Sequence, residues 1–275
     1  ALAGRAPFSV SSWSEPAAEA LLAHLGALPE PVVVWARGLP ESSLAAALDA
    51  RRRRPFPLVC SLGDPLPPVR AGRTGTDARV ARLALRQVQA LSRLADAWTF
   101  PSRAVADAVA LAGGLDADRC FVLPHLLAEP DTQATPIADG ADDGLPTVAY
   151  AGSAYRWLVE GPLLRALGRA GRQGLLRLVL VLRDADQAAI DAVCRAAPGA
   201  TIHLDLPPRD AAALVAGADA VLVPGPRPDL LYTKVVEALR HAQPVLSVTP
   251  SGGTTARLVE EAGGIAVPPD ADDGV

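Results

Sequence analysis

Six short apolar runs, separated by amphipathic stretches, constrain the fold of this chain more than any other feature. They are Thr147-Val-Ala-Tyr150, Leu176-Arg-Leu-Val-Leu-Val181, Ala200-Thr-Ile-His-Leu204, Ala220-Val-Leu-Val223, Pro244-Val-Leu-Ser-Val248 and Ile265-Ala-Val267. Each is too short for a buried helix, and most lack the polar alternation of a strand with one wet face. Buried strands of a parallel sheet fit them, with a helix of about 10 to 15 residues expected between successive strands. Right-handed βαβ units then cover both faces of that sheet. The strongest run, Leu178-Val-Leu-Val-Leu182, is far below the ~20 apolar residues that a membrane-spanning helix needs.

The first half follows the same alternation less sharply. Strands are expected at 8–10 (weakly), 31–36, 56–61, 97–100 and 120–123, and helices at 15–28, 42–53, 76–95 and 103–111. Between Ala128 and Pro146 the apolar period disappears into Pro130, Asp131, Asp139, Gly140, Asp142, Asp143 and Gly144, which reads as a linker. The expectation is an α/β chain of two Rossmann-like domains, 1–130 and 147–275, joined by a linker at 131–146. Their parallel sheets would face each other across a cleft, with ligands near the carboxyl ends of the strands.

Composition narrows the partners. A net charge of −4 gives no reason to expect nucleic acid. The basic run Arg51 to Arg54 precedes Pro55 and suits a helix end, with contact to an anionic lipid surface as the alternative. Cys60, Cys120 and Cys194 are odd in number and far apart, and no CxxC pair occurs. This favours a reducing cytoplasm, with peripheral membrane contact left open. The histidines are too dispersed for a metal site: His24, His203 and His241 suit structural roles, whereas His125 precedes the linker and is a cleft candidate. The chain has no methionine, starts inside an Ala-rich segment and stops at Val275, so it is expected to be incomplete at both ends.

Lys234 is the one lysine among 26 basic residues. It lies between two apolar runs, on a loop opening into a helix, where free amides and the helix dipole favour anions. Taken alone, it is explained somewhat better by an arginine-biased composition that left one surface lysine beside Glu237. Asp229 and Glu237 flank it, separated by seven residues. A carboxylate at Glu237 can accept from both hydroxyls of a ribose, while Asp229 can hold sugar hydroxyls or simply cap the helix. The amides of Leu230, Leu231 and Tyr232 would reach phosphate oxygens. After the first strand of the second half, Gly152 and Ser153 allow close backbone approach, and Arg156 can meet a diphosphate with two hydrogen bonds. Neither a GxGxxG fingerprint nor a P-loop is present. Asp64, in the turn Gly63-Asp64-Pro65, is a candidate general base as well as a turn residue.

The second half resembles the donor-binding domain of the GT-B glycosyltransferases, in particular the retaining group 1 family. The resemblance rests on Val148-Ala-Tyr-Ala-Gly-Ser153, Gly217-Ala-Asp-Ala-Val-Leu-Val-Pro224, Lys234-Val-Val-Glu-Ala-Leu239, Gln243-Pro-Val-Leu246, and Gly252-Gly253 leading to Leu258-Val-Glu-Glu-Ala-Gly263. In the first half, Pro57 to Pro65, Ala95-Asp-Ala-Trp-Thr-Phe-Pro-Ser and Val122-Leu-Pro-His125 are similar in a looser way. The resemblance implies a bacterial-type transferase that moves a sugar, with retention, from a UDP, GDP, TDP or ADP sugar to a sugar, lipid or small-molecule hydroxyl. It implies no required cofactor or metal, and it makes Asp64 and Asp229 the catalytic candidates. Gly152, Ser153, Arg156, Leu230, Leu231, Tyr232, Lys234 and Glu237 become the donor-binding set. Three departures stand out: Asp229 occupies a position where the family has glutamate, Glu160 falls near the place of a clamp lysine, and no Gly-rich loop opens the chain. They keep open an inactive sugar-binding GT-B protein and, less closely, a sugar-nucleotide epimerase.

Overall fold

The computed structural model describes residues 10–29, 31–38, 42–66, 76–124, 144–159, 161–225, 227–240 and 243–268. The chain forms two compact units, Ala1–Pro124 and His125–Val275. Most of the expected linker, and His125 and His241 with it, lies outside the described residues.

In the first unit the order is α1 (Val10–Ala27), β1 (Val34–Gly38), α2 (Ser42–Arg53), β2 (Leu58–Leu62), α3 (Thr76–Leu91), β3 (Ala97–Phe100), α4 (Arg103–Gly113) and β4 (Cys120–Val122). Of the strand weakly expected at 8–10, Val10 opens a helix and the other two residues lie outside the described residues. Strand β1 starts three residues later than expected, because pairing begins where the Val34 amide reaches the Pro57 carbonyl at 2.9 Å. Proline has no amide to return, so the ladder proper starts at Leu58. All neighbours pair in parallel, in the order β1-β2-β3-β4.

Such a monotonic order with right-handed crossovers sends the connecting helices to one face. Helix α2 packs on α3 and α3 on α4, over a core of Leu58, Cys60, Leu62, Trp98 and Phe100 from the strands and Leu44, Val88, Leu91 and Val105 from the helices. Burial pushes the Cys60 thiol up to about 12, as suits a packing residue. On the opposite face, Trp35 and Phe121 are more than half exposed.

The second unit runs β5 (Thr147–Gly152), α5 (Arg156–Val159), α6 (Pro162–Arg172), β6 (Arg177–Leu182), α7 (Gln187–Ala196), β7 (Thr201–Leu204), α8 (Pro208–Ala216), β8 (Ala220–Pro224), α9 (Thr233–Arg240), β9 (Val245–Val248), α10 (Thr254–Glu261) and β10 (Ile265–Val267). Several of these helices have fewer than ten residues, shorter than expected. The sheet order is β10-β9-β8-β5-β6-β7, again all parallel. The chain therefore winds outward from β5 in one direction, then returns and winds outward from β8 in the other. Strand β6 is buried on both sides: Leu178, Leu180 and Leu182 point one way and Val179 and Val181 the other, none more than 5% exposed. Each such side chain contributes roughly 1.5–3 kcal/mol by leaving water. One core gathers around Tyr150, Leu164, Leu180 and Leu222, and a second around Val223, Val235, Val245 and Val259.

Both units use one local device. In Ala95-Asp96-Ala97 and in Ala218-Asp219-Ala220 the aspartate precedes a strand and binds the start of its neighbour. The Asp96 carboxylate accepts from the Leu58 amide at 2.8 Å while the Asp96 amide donates to the Leu58 carbonyl at 2.9 Å. The Asp219 carboxylate accepts from the Thr147 amide at 2.7 Å while its own amide donates to the Thr147 carbonyl at 3.0 Å. A motif that marked the resemblance thus sets strand register at the amino-terminal end of strands in each sheet.

Candidate functional site

Where strand order reverses, two adjacent strands send their connections in opposite directions, and a crevice opens at their carboxyl ends. Here those strands are β5 and β8, paired at Val148 with Ala220 and at Ala149 with Val221. The turn after β5 carries Gly152, Ser153 and Arg156. The connection from β8 to α9 carries Asp229, Leu230, Leu231 and Tyr232, and α9 itself carries Lys234 and Glu237. Two stretches far apart in sequence meet at one edge of the sheet.

Gly152 and Lys234 are in direct apposition. A Cβ placed on Gly152 would lie 3.0 Å from Lys234 Cε and 2.7 Å from the Tyr150 hydroxyl oxygen. Any side chain there would push the lysine away. The buried Tyr150 hydroxyl donates to the Ser153 carbonyl at 2.8 Å, and the Tyr155 amide donates to the same carbonyl at 2.9 Å. The turn is thereby shaped from below. Burial also holds the Tyr150 phenol above its ordinary range, with Tyr155 adding to the effect. Lys234 is half-buried. Its ammonium is pushed below the usual lysine range by desolvation, an effect that the Glu237 carboxylate partly offsets. Glu237 is exposed on α9. Arg156 begins α5.

The β8–α9 connection is fixed by the motif that follows it. Gly225 donates to the Val248 carbonyl at 2.8 Å, and the Thr254 amide donates to the Pro228 carbonyl at 2.8 Å. A Cβ on Gly253 would sit 3.0 Å from both Pro228 Cα and the Pro228 carbonyl oxygen, so glycine permits this approach. The fully buried Thr255 hydroxyl donates to the Leu230 carbonyl at 2.8 Å and accepts from the Tyr232 amide at 3.4 Å. One of the three amides expected to face phosphate therefore has a partner within the fold. Leu231 packs its side chain inward, and the Tyr232 ring lies against Gly225.

Sequence reasoning missed Arg227. Its Nε donates to Asp229 Oδ1 at 3.1 Å and its Nη2 to Asp229 Oδ2 at 2.7 Å. Both oxygens of the first acid are thus engaged by a guanidinium two residues away. Only the Arg-Pro-Asp spacing hinted at this, and Pro-Asp reads first as a turn. Asp64 is exposed in the bend after β2, in the first unit. Among the described residues no three His, Cys, Asp or Glu side chains gather as metal ligands, and no helix is long and apolar enough to cross a membrane. The three cysteines are free.

No protein-family model and no curated protein matches the chain. Solved structures do. Anabaena Alr3699/HepE in complex with UDP-glucose matches with a TM-score of 0.63 and 18% identity, over 87% of this chain and 66% of that one. An α,α-trehalose-phosphate synthase (UDP-forming) from Burkholderia xenovorans in complex with glucose-6-phosphate matches with a TM-score of 0.64 and 15% identity, over 95% and 67%. A glycosyltransferase from Rickettsia africae matches with a TM-score of 0.63 and 12% identity, over 97% and 69%. The chain thus spans about two thirds of the length of these structures. Likeness at such identities speaks for architecture, and on that ground the chain has the GT-B fold.

Proposed function

We propose that the chain is a glycosyltransferase that moves a sugar from a nucleoside-diphosphate sugar to an acceptor hydroxyl, with retention at the anomeric carbon. The observation that carries this reading is Lys234, the single lysine, held half-buried against Gly152 at the reversal of strand order. A desolvated ammonium gains most from an anion delivered to it. One charge-assisted contact to a phosphate oxygen contributes about 1.5–3 kcal/mol. Negative charge grows on the departing diphosphate, so Lys234, Arg156 and the first amides of α9 would stabilise it as it leaves. Glu237 would accept from the ribose hydroxyls.

In this reading residues 147–275 hold the donor and residues 1–130 the acceptor, with Asp64 as the acceptor-side candidate. UDP-glucose is the first donor to try, because the Anabaena and Burkholderia structures carry UDP-glucose and a UDP-forming activity in their names. Glucose and glucose-6-phosphate are the first acceptors on the same ground. The test measures UDP release from UDP-glucose with and without a panel of sugar, sugar-phosphate and lipid acceptors, then GDP, TDP and ADP sugars. Acceptor-dependent release with a retained anomeric linkage by NMR is expected. Tight nucleotide binding without transfer to any acceptor would make the chain a sugar-nucleotide binding protein. Conversion of the donor sugar without acceptor would make it an epimerase.

A further inference from the structure

Resting on that reading of the site, we infer that Arg227 is a further cation that meets the donor diphosphate, beside Lys234 and Arg156, and that Asp229 is its positioning residue rather than a ligand of the sugar. A guanidinium has five N–H donors. The fork to Asp229 uses Nε and one hydrogen of Nη2. The other Nη2 hydrogen and one on Nη1 form the next edge of the same plane, a pre-aimed pair that matches two phosphate oxygens. The fork takes one lone pair on each Asp229 oxygen, so both oxygens are oriented by the guanidinium they hold.

The fork suits orientation better than cohesion. The Arg227 and Asp229 side chains are 39% and 27% exposed, and ion pairs with such access to water do little for stability. The backbone between them, however, is held hard. The Pro228 carbonyl accepts from Thr254, and its Cα lies against Gly253. Arg227 is thus fixed by its carboxylate on one side and by the clamped Pro228 peptide on the other. A cation held this way meets an anion without paying again for its own ordering. It stands on the same β8–α9 connection that delivers Lys234, at the same edge of the sheet.

The experiment is calorimetric titration of the 275-residue chain and of Arg227→Ala, Arg227→Lys and Asp229→Asn with UDP and, separately, with UDP-glucose, at low and high salt. UDP carries no sugar, so it separates a diphosphate contact from a sugar contact. Arg227→Ala is expected to weaken both ligands alike by roughly tenfold and to flatten the salt dependence of UDP binding. Arg227→Lys should recover part of both effects, and Asp229→Asn should weaken both ligands severalfold while keeping the salt dependence. A loss confined to UDP-glucose in Asp229→Asn, with UDP binding unchanged in Arg227→Ala, would overturn the inference and return Asp229 to the sugar. If the unmodified chain binds none of UDP, GDP, TDP and ADP, the reading of the site falls and this inference with it. Unchanged melting temperatures in the Arg227 variants would exclude a fold defect as the cause.

Discussion

The two sheets of this chain are built from the same parts and differ in winding. Each is parallel, each is fed by helical crossovers, and each uses an Ala-Asp-Ala step to bind a strand start to its neighbour. The first sheet runs in sequence order, β1 to β4, so every described connection steps the same way. The second reverses between β5 and β8. Only the reversal pulls two connections apart at the carboxyl ends of adjacent strands, and that is where Gly152 and Lys234 meet. Winding decides which sheet can bear a site of this kind.

The largest test of this contrast uses the cores. Leu58 and Leu180 are equally buried, at 0% and 1% exposure, one in each sheet. Truncation of either to alanine should cost about 2–5 kcal/mol. Saturating UDP should restore stability to the transition shifted by Leu180→Ala, by about 2.7 kcal/mol at a hundredfold excess over Kd. It should leave the transition shifted by Leu58→Ala where it was. Denaturant unfolding followed by fluorescence with and without UDP reads both, and equal rescue of the two would erase the distinction between the units.

Next in size is Lys234→Met. UDP affinity should fall by roughly ten- to a hundredfold, the equivalent of a charge-assisted hydrogen bond. The thermal midpoint should hold or rise, because the substitution removes a desolvated charge. A variant that unfolds early would make Lys234 a structural residue.

The same lysine gives a pH signature of known sign. Its folded pKa lies below the ordinary lysine value, so between the two pKa values the unfolded chain holds more protons. Stability must therefore rise with pH through that window in the unmodified chain, and must not do so through this group in Lys234→Met. UDP affinity should move the opposite way, weakening as pH climbs through the lowered pKa. Calorimetry and melts from neutral to alkaline pH check both slopes.

The smallest expected effect is that of Asp64→Asn. Exposed in a bend of the first unit, it should alter stability by no more than about 0.5 kcal/mol and leave UDP affinity unchanged. Slower transfer with intact UDP binding would assign Asp64 to the acceptor; weaker UDP binding would carry the donor site into the first unit.

Much of this architecture is legible in the sequence because buried parallel strands are short and apolar. The run Ala220-Val-Leu-Val and the strands Ala97–Phe100 and Ile265–Val267 emerge where expected. Boundaries shift where pairing overrides composition. Pro57 cannot return a hydrogen bond, so β1 starts late, and β6 slides by one residue to Arg177–Leu182. Strand order is invisible in the sequence, since no local pattern records which side of β5 the chain chooses after β7. Gly152 and Lys234 were both legible as candidates, one from its turn and one from its rarity. Their contact was not, because it depends on the reversal. Arg227 was hidden for a different reason: in an arginine-rich chain, one more arginine before a proline carries no signal until its fork to Asp229 is seen.

The central claim is that the crevice at β5 and β8 takes a nucleoside diphosphate. Hydrogen exchange on the full chain, with and without saturating UDP, addresses it most directly. Slowed exchange is expected in the turn 152–156 and in the described part of 225–235, with the ends of β1 and β2 unaffected. Unchanged exchange in both stretches under saturating UDP, or protection confined to the first unit, would contradict it.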